Sequence, residues 1–285
     1  MTKDHKKYAA AAAACFLLLS QASPVWAQTG AGPGVVQIDS ESGRLTAVGT
    51  VYSLDLLEAG TRIDKSQLAF SDAGRYFTVR EIRRNDSVFQ RINGRSYQDN
   101  DYISLESLRY LKVLHYNFDG EIQVGELIVH KDIAEDARNI FLELFDAGYQ
   151  IQSMYLIDNY WTGDGVDSDS ASIDANNTSA FCFRQSSDAE TLSNHALGRA
   201  IDLNPQQNPY VSYRTGEPVW SHENADSYID RGTGLPHVIT HDDLAYQIFT
   251  KYGFTWGGDW PEPKDYQHFV KEDPASDRTF TPLSG

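Results

Sequence analysis

The sequence predicts an α+β fold, a small antiparallel sheet with packed helices, and three observations carry that reading. YLKVLHYNF and EIQVGELIVH flank Asp119-Gly120. Asp-Gly between two β-rich runs is a strong hairpin signal, and a hairpin is antiparallel by construction. Residues 133–148 (IAEDARNIFLELFDAG) set Ile133, Ala134, Ala137, Ile140, Phe141, Leu144 and Phe145 at three- to four-residue spacing before a glycine stop, which reads as an amphipathic helix. Residues 240–253 (THDDLAYQIFTKYG) repeat the pattern, with Thr240 as N-cap, acids in the first turn and Gly253 as stop. YQIQSMYLI reads as a further strand, and FCFR, ALGRAIDLN and QHFV as short later ones. The Asp/Ser-rich residues 163–178, with Asp164, Asp167, Asp169 and Asp174, fail the calcium-loop spacing and read as a solvated loop.

The chain divides into four segments. Residues 1–27 have a lysine-rich start (Lys3, Lys6, Lys7), a 12-residue apolar run at 8–19 and small residues before a cleavage point after Ala27. This is the pattern of an export signal, and its run spans about 18 Å as a helix, short of a bilayer core of roughly 30 Å. The expected location is therefore outside the cytoplasm, periplasmic or extracellular, with no membrane span after cleavage. Residues 28–100 read as an N-terminal extension or small subdomain, beginning with the Gly-rich 28–36 and including the strand-like YFTVREI. Residues 101–273 carry the stronger patterns and residues 274–285 form a tail.

Composition excludes several classes. Lys+Arg is 24 against Asp+Glu 40, a net charge of −16, and losing the signal removes three lysines and one aspartate, giving −18. Such acidity lacks the footprint of a nucleic-acid binder and argues against docking on anionic lipid. Cys15 leaves with the signal, so Cys182 is the one remaining thiol and neither an internal disulfide nor a thiolate zinc cluster is available.

Polar density inside apolar strands marks the candidate site. In SNHALGRAIDLNP (193–205), Ile201 and Leu203 alternate with Asp202, so a strand buries the aliphatics and presents Asp202 on its other face. Gly198 supplies the tight return that brings His195 beside Asp202. In KDYQHFV (264–270), His268 lies between Gln267 and Phe269. Two imidazoles and a carboxylate form a three-ligand set that leaves a fourth zinc position for water. Asp265 is the local carboxylate for proton transfer. Three residues before His268, it would face the opposite side of one regular strand, so the role needs Asp265 in a turn just before the strand. Each residue also has a bland reading: a satisfied core histidine, a turn-capping Asp202, a loop-solvating Asp265.

SNHALGRAID and, about 60 residues on, DYQHF resemble the S-x-H-x-x-G-x-A-x-D and D-Y-x-H-F motifs of VanY-type D-alanyl-D-alanine carboxypeptidases. That zinc peptidase family includes L-alanyl-D-glutamate endopeptidases and shares the Hedgehog/DD-peptidase fold. The resemblance spans about residues 101–272, including NNTSAFCFR and WGGDW. It implies zinc held by His195, Asp202 and His268, with Asp265 as catalytic base. It also implies Arg184 as the catalytic and substrate-binding arginine that neutralises a substrate carboxylate or the developing oxyanion. The expected activity is an exported zinc metallopeptidase acting on peptidoglycan stem peptides, most simply a D-Ala-D-Ala-type carboxypeptidase. An L-Ala-D-Glu endopeptidase and an inert zinc-stabilised envelope-binding module are the alternatives. Val270 departs from the acidic or amide residue that relatives often carry after H-F, which touches substrate preference rather than the ligands.

Ser193 would bind substrate or cap its turn, and Trp256 would wall the cleft while Trp260 joins the core. His115, His130, His222, His237 and His241 belong to no motif and read as structural or surface residues. Cys182 is a small buried filler, although strand phase would set it on the Arg184 side, about 7 Å away. The oligomeric state is open.

Overall fold

The hairpin around Asp119-Gly120 forms the largest strand pair of the molecule. A computed structural model describes residues 51–273 apart from 52 and 187–190, so the proposed signal, the Gly-rich stretch and the tail lie outside the described residues. Strands β3 (Leu108–Tyr116) and β4 (Ile122–His130) pair along their whole length, from Leu108 opposite His130 to Tyr116 opposite Ile122. Their loop closes through Asn117 N–H to the Glu121 carbonyl at 2.9 Å, with Gly120 at φ 75°. A side chain would strain that left-handed position, which is why Asp-Gly signals the turn.

The segment read as an N-terminal extension supplies both outer strands of this sheet. β1 (Arg62–Ile63) pairs with β4, and β2 (Thr78–Glu81, within YFTVREI) pairs with β3, giving the antiparallel order β1-β4-β3-β2. Val51, Leu54, Ile63, Tyr76 and Phe77 lie in the same core as Leu111, Val113 and Val124. Residues of the 51–100 segment thus share a sheet and a core with the strands that follow them.

Both faces of the hairpin are covered, which explains its near-continuous apolar run. Leu111, Val113 and Leu127 pack under helix α2 (Ala134–Asp146), whose Ala137, Ile140, Phe141, Leu144 and Phe145 form its buried stripe. Leu108, Tyr110 and Ile128 face a second cluster with Phe89 and Ile92 of helix α1 (Ser87–Ile92) and with Phe181 and Leu197. Burying one such side chain contributes about 1.5–3 kcal/mol, so two dry faces make this pair the anchor for everything downstream.

The C-terminal half is built from shorter pieces. Strands β5 (Ala200–Asp202), β9 (His268–Val270) and β7 (Thr255–Trp256) form a three-stranded sheet in the order β5-β9-β7. β6 (Tyr210–Val211) and β8 (Lys264–Asp265) form a two-stranded ribbon. Ile201, Leu203, Phe249, Trp256 and Phe269 join this sheet to the main core. Helix α4 (Leu244–Lys251) starts one turn later than expected, because Asp243 rather than Thr240 caps it by accepting from Ala245 N–H. The architecture is α+β, as the patterning predicts.

Three local expectations change. Residues 165–174 are no loop but a helix, α3 (Gly165–Asp174), capped by Asp164, whose carboxylate accepts from the amides of Val166 and Asp167. YQIQSMYLI is extended, yet joins its neighbours only through isolated bridges such as Tyr116–Gln150, before a 3-10 turn at Ile157–Tyr160. FCFR likewise belongs to no strand: between the bridges Ser179–Asp202 and Gln185–Leu192 the amides of Phe181, Cys182 and Phe183 donate singly to the carbonyls of Ile128, His195 and Ser96. Apolar alternation there reflects packing against the second cluster rather than membership of a sheet.

Candidate active site

A short 3-10 turn, Asn194–Leu197, ends at Gly198, whose φ of 65° reverses the chain into β5. A Cβ on Gly198 would also come within 2.7 Å of the His130 amide nitrogen, so both torsion and space require glycine here. The return sets His195 against Asp202, as the spacing predicts. On the neighbouring strand, Asp202 is directly opposite His268 in the β5–β9 register.

The three donor groups converge. His195 Nε2 lies 3.2 Å from Asp202 Oδ2, His268 Nδ1 lies 3.0 Å from Asp202 Oδ1, and the two ring nitrogens are 3.2 Å apart. All three residues are buried. His195 Nδ1 donates to the Ala180 carbonyl at 2.5 Å. A carbonyl cannot donate, so Nδ1 carries the proton and the Nε2 lone pair faces the cluster. Tetrahedral zinc with bonds of about 2.0–2.2 Å sets donor atoms roughly 3.3–3.6 Å apart. The two ring nitrogens come near that spacing, each against a different carboxylate oxygen, and one donor atom from each of the three residues lies within 4.8 Å of the others.

Electrostatics agree with a cation-binding triad. Burial opposes the charging of His195, but the Asp202 carboxylate outweighs it and raises the imidazole pKa. Burial likewise pushes Asp202 up, and the two imidazoles reverse that and hold it far below the ordinary carboxylate range. A carboxylate held ionised between two imidazoles is a site that favours positive charge, and a divalent cation would take the place of the proton that the raised His195 pKa describes.

Asp265 joins the triad through a turn. It ends β8, Tyr266 and Gln267 make the turn, and His268 opens β9, so the two residues do not share one regular strand. Its Oδ2 sits 4.0 Å from His268 Nδ1, while its Oδ1 is buried without a partner. Burial, opposed by His268, pushes the carboxyl pKa up to about 7. Gly257 permits this packing, since a Cβ there would fall 2.4 Å from the Asp265 carbonyl oxygen and 3.2 Å from His268 Cβ. The WGGDW segment is thereby a buttress of the site.

These groups line a cleft of about 560 Å³ that also takes in Arg184, Ser193, Trp260 and Tyr210. Arg184 Nη2 donates to Asp169 Oδ2 at 2.6 Å, and Arg184 Nη1 reaches the Gln185 carbonyl at 3.3 Å. Ser193 caps its turn, its Oγ accepting from His195 N–H at 3.2 Å, and it also lines the cleft. The tryptophans exchange places. Trp256 is 4% exposed in the main core, where its indole N–H donates to the Tyr266 carbonyl, whereas Trp260 walls the cleft with its ring 5.2 Å from that of His268. Strand β7 turns Trp256 inward, a direction that spacing within WGGDW does not show. Cys182 is fully buried with its thiol against the Gly165 carbonyl, and burial raises its pKa, so it is core filler and not cleft floor.

Residues 187–271 match the family of D-alanyl-D-alanine carboxypeptidases. The VanY-type resemblance holds. The matched segment is D-alanyl-D-alanine carboxypeptidase-like and contains Ser193, His195, Asp202, Asp265, His268 and both tryptophans. It is shorter than the span of 101–272 expected from the motifs, and it leaves Arg184 and Asp169 outside. No curated protein and no solved structure matches the chain.

Sequence reasoning passed over four lining residues. Asp169, Tyr210, His222 and Gln267 all face this cleft, and His222 Nδ1 is bonded to Asp174 Oδ1 at 2.7 Å. Asp169, Tyr210 and His222 lie outside the paired motifs, and Gln267 fills the variable position of DYQHF. The density of Asp in α3 was the available signal, and its solvated-loop reading hid it.

Proposed function

We propose that the protein is an exported zinc metallopeptidase that removes the terminal residue from D-Ala-D-Ala-type peptidoglycan stem peptides. The observation that carries the reading is the convergence of His195 Nε2, His268 Nδ1 and the Asp202 carboxylate beside a buried, unpartnered Asp265 oxygen. His195, Asp202 and His268 would hold the ion, which when bound supplies Lewis acidity and lowers the pKa of water to about 7.

The chain's own groups do the rest. Asp265, its Oδ2 4.0 Å from His268 Nδ1, takes a proton from the attacking water and delivers it to the departing nitrogen, the two halves of general acid–base catalysis. Burial raises its pKa to about 7 in the metal-free site, and a bound cation would draw it back toward the ionised form that accepts the proton. Arg184 offers a planar fork of donors for the terminal carboxylate of the leaving residue. Trp260 and Tyr210 provide apolar walls that keep water from the reacting bond. An inert envelope-binding module would have no use for a buried carboxylate that costs folding energy, so Asp265 favours an enzyme.

The deciding experiment incubates purified muropeptides with the protein, with and without a chelator, and reads the products by mass spectrometry. Loss of a single terminal alanine, abolished by chelator, is expected. Cleavage inside the stem would make it an endopeptidase, and unchanged muropeptides would overturn the reading.

A further inference from the structure

Helix α3 is an odd helix. Its sequence, GVDSDSASID, holds three aspartates, three serines and a glycine, all poor helix formers, and the side it buries is Ser168, Asp169 and Ser172 rather than an apolar stripe. Of its apolar residues, Val166 is exposed. Tertiary contacts must therefore hold it in place, and they are polar and local. Asp164 caps its start, and near its end Asn177 Nδ2 donates to Ser172 Oγ at 2.9 Å while Asn177 Oδ1 accepts from Tyr155 N–H at 2.8 Å. Its first turn lies flush against the chain at 182–184, since a Cβ on Gly165 would meet Arg184 Cβ and the Phe183 carbonyl oxygen at 3.1 Å.

Among the residues that this helix presents to the cleft, one is a carboxylate. Asp169 Oδ2 accepts from Arg184 Nη2 at 2.6 Å, with the side chains only 11% and 15% exposed. Asp169 Oδ1 and Arg184 Nε are buried without hydrogen-bond partners. Asp169 engages one of the five guanidinium N–H groups and the Gln185 carbonyl another, so the fork is held by its edge with donors left over. A guanidinium this buried and unpaired would swing toward water, or would be repelled by any cation that the neighbouring triad binds.

We propose that Asp169 is the positioning residue of Arg184: it anchors one edge of the guanidinium and so aims the remaining donors at the free carboxylate of the substrate. The proposal rests on the carboxypeptidase reading above. It explains why a poorly helical, polar segment is built as a helix, and it places the recognition of a free C-terminus on two residues, one from α3 and one from the chain beside it.

The test compares the full-length wild type with Asp169→Asn, using an N-acylated D-Ala-D-Ala peptide and its C-terminal amide. Metal content and the Arg184 Nε–H resonance, assigned by its absence in Arg184→Lys, are measured alongside. Positioning predicts that KM for the free acid rises about tenfold or more, the scale of one lost charge-assisted hydrogen bond. It also predicts kcat and metal content close to wild type, little change on the amide, and an Arg184 Nε–H that shifts and exchanges faster. Equal losses on acid and amide, or an unchanged KM, would overturn it. If Asp169→Asn does not fold, Asp169→Glu keeps the charge on a longer arm, and an unaltered acid-to-amide preference in that variant overturns the proposal. If wild type cleaves neither peptide, the carboxypeptidase reading fails by itself. The arginine resonance still decides the positioning, because a signal unmoved in the variant would sink it.

Discussion

Two buried charged clusters among the described residues, each beside a cavity, are finished differently. The first surrounds Glu126, 1% exposed on β4, where Arg91 donates to both carboxylate oxygens at 2.9 and 2.7 Å and the Tyr110 hydroxyl adds a third bond at 2.7 Å. Lys112 beside it donates to the carbonyls of Leu54, Asp55 and Leu57. Among the described residues, seven buried side-chain atoms lack a hydrogen-bond partner, and none belongs to this cluster. The second cluster is the cleft, and five of the seven lie there, on Asp169, Arg184, Asp265, Gln267 and His268. Burial without satisfaction costs folding energy, and a protein tolerates it where something else completes the bonds. A cavity of about 400 Å³ adjoins the Glu126 cluster too, so concavity does not separate the two. Satisfaction does.

The largest expected break in this contrast is His268→Ala. It should abolish stoichiometric zinc, measured by elemental analysis of the purified protein, and lower the melting temperature only when zinc is supplied to the wild type, since the ion stabilises the state that binds it. A variant that kept one zinc per chain would show that the triad is not the metal site.

Next comes Glu126→Gln, which leaves the Arg91 guanidinium facing a neutral amide. Removing one partner of a buried, bidentate pair typically costs about 3–5 kcal/mol, and the neutral isostere should fall toward the lower end. Chemical denaturation should show that loss while zinc content and turnover stay near wild type. A loss of turnover without a loss of stability would make the Glu126 cluster a functional site and erase the distinction.

Asp265→Asn should give the opposite pair of results. Turnover is expected to fall about 10²-fold or more with zinc retained, the usual scale for a general base. Stability should rise at alkaline pH in metal-free protein. The sign follows from the folded-state pKa near 7, above the unfolded value of 3.8. Between those values the folded state binds the extra proton, so stability is lost as pH rises through 7, and an amide cannot suffer that loss. For catalysis the base must be ionised, so kcat/KM should drop on the acid side. A bound cation pulls the carboxyl pKa down, placing that limb below the titration seen in metal-free protein by carboxyl NMR. An Asn variant of wild-type rate would remove Asp265 from the mechanism.

The contrast also explains what the sequence made legible. The hairpin, α2 and α4 were readable because their side-chain periods follow from burial in a dry core, and Leu111, Ile140 and Phe249 mark faces that no other packing would satisfy. His195, Asp202 and His268 were readable because motif spacing fixes Asp202 and His268 on paired strands and returns His195 to them through Gly198. The rest depends on long-range contacts that leave no local period. Asp169 reaches Arg184 across 15 positions, Tyr210 reaches the cleft because β6 pairs with β8, and β1 and β2 join a sheet whose centre lies dozens of residues away. α3 was hidden by composition, because Ser and Asp lower helix propensity whether or not tertiary bonds later override it.

The smallest expected effect sharpens the comparison within one pentapeptide. Trp256 and Trp260 share WGGDW, yet the first belongs to the satisfied core and the second to the unfinished cleft. Trp256→Phe removes an indole whose N–H donates to the Tyr266 carbonyl at 2.8 Å, leaving that acceptor short of a partner and a small void among Tyr246, His241 and Tyr266. It should cost roughly 1–3 kcal/mol of stability and leave KM unchanged, apart from the fraction unfolded. Trp260→Phe keeps an aromatic wall beside His268 but shortens it, so stability should stay within about 0.5 kcal/mol, the range for substitutions outside packed regions. KM for a stem peptide should rise a fewfold. Denaturation midpoints and Michaelis curves on the two variants settle the assignment. If Trp256→Phe raised KM with stability intact, the inward turn of β7 would not describe the working enzyme, and the cleft wall would have to be redrawn around Trp256.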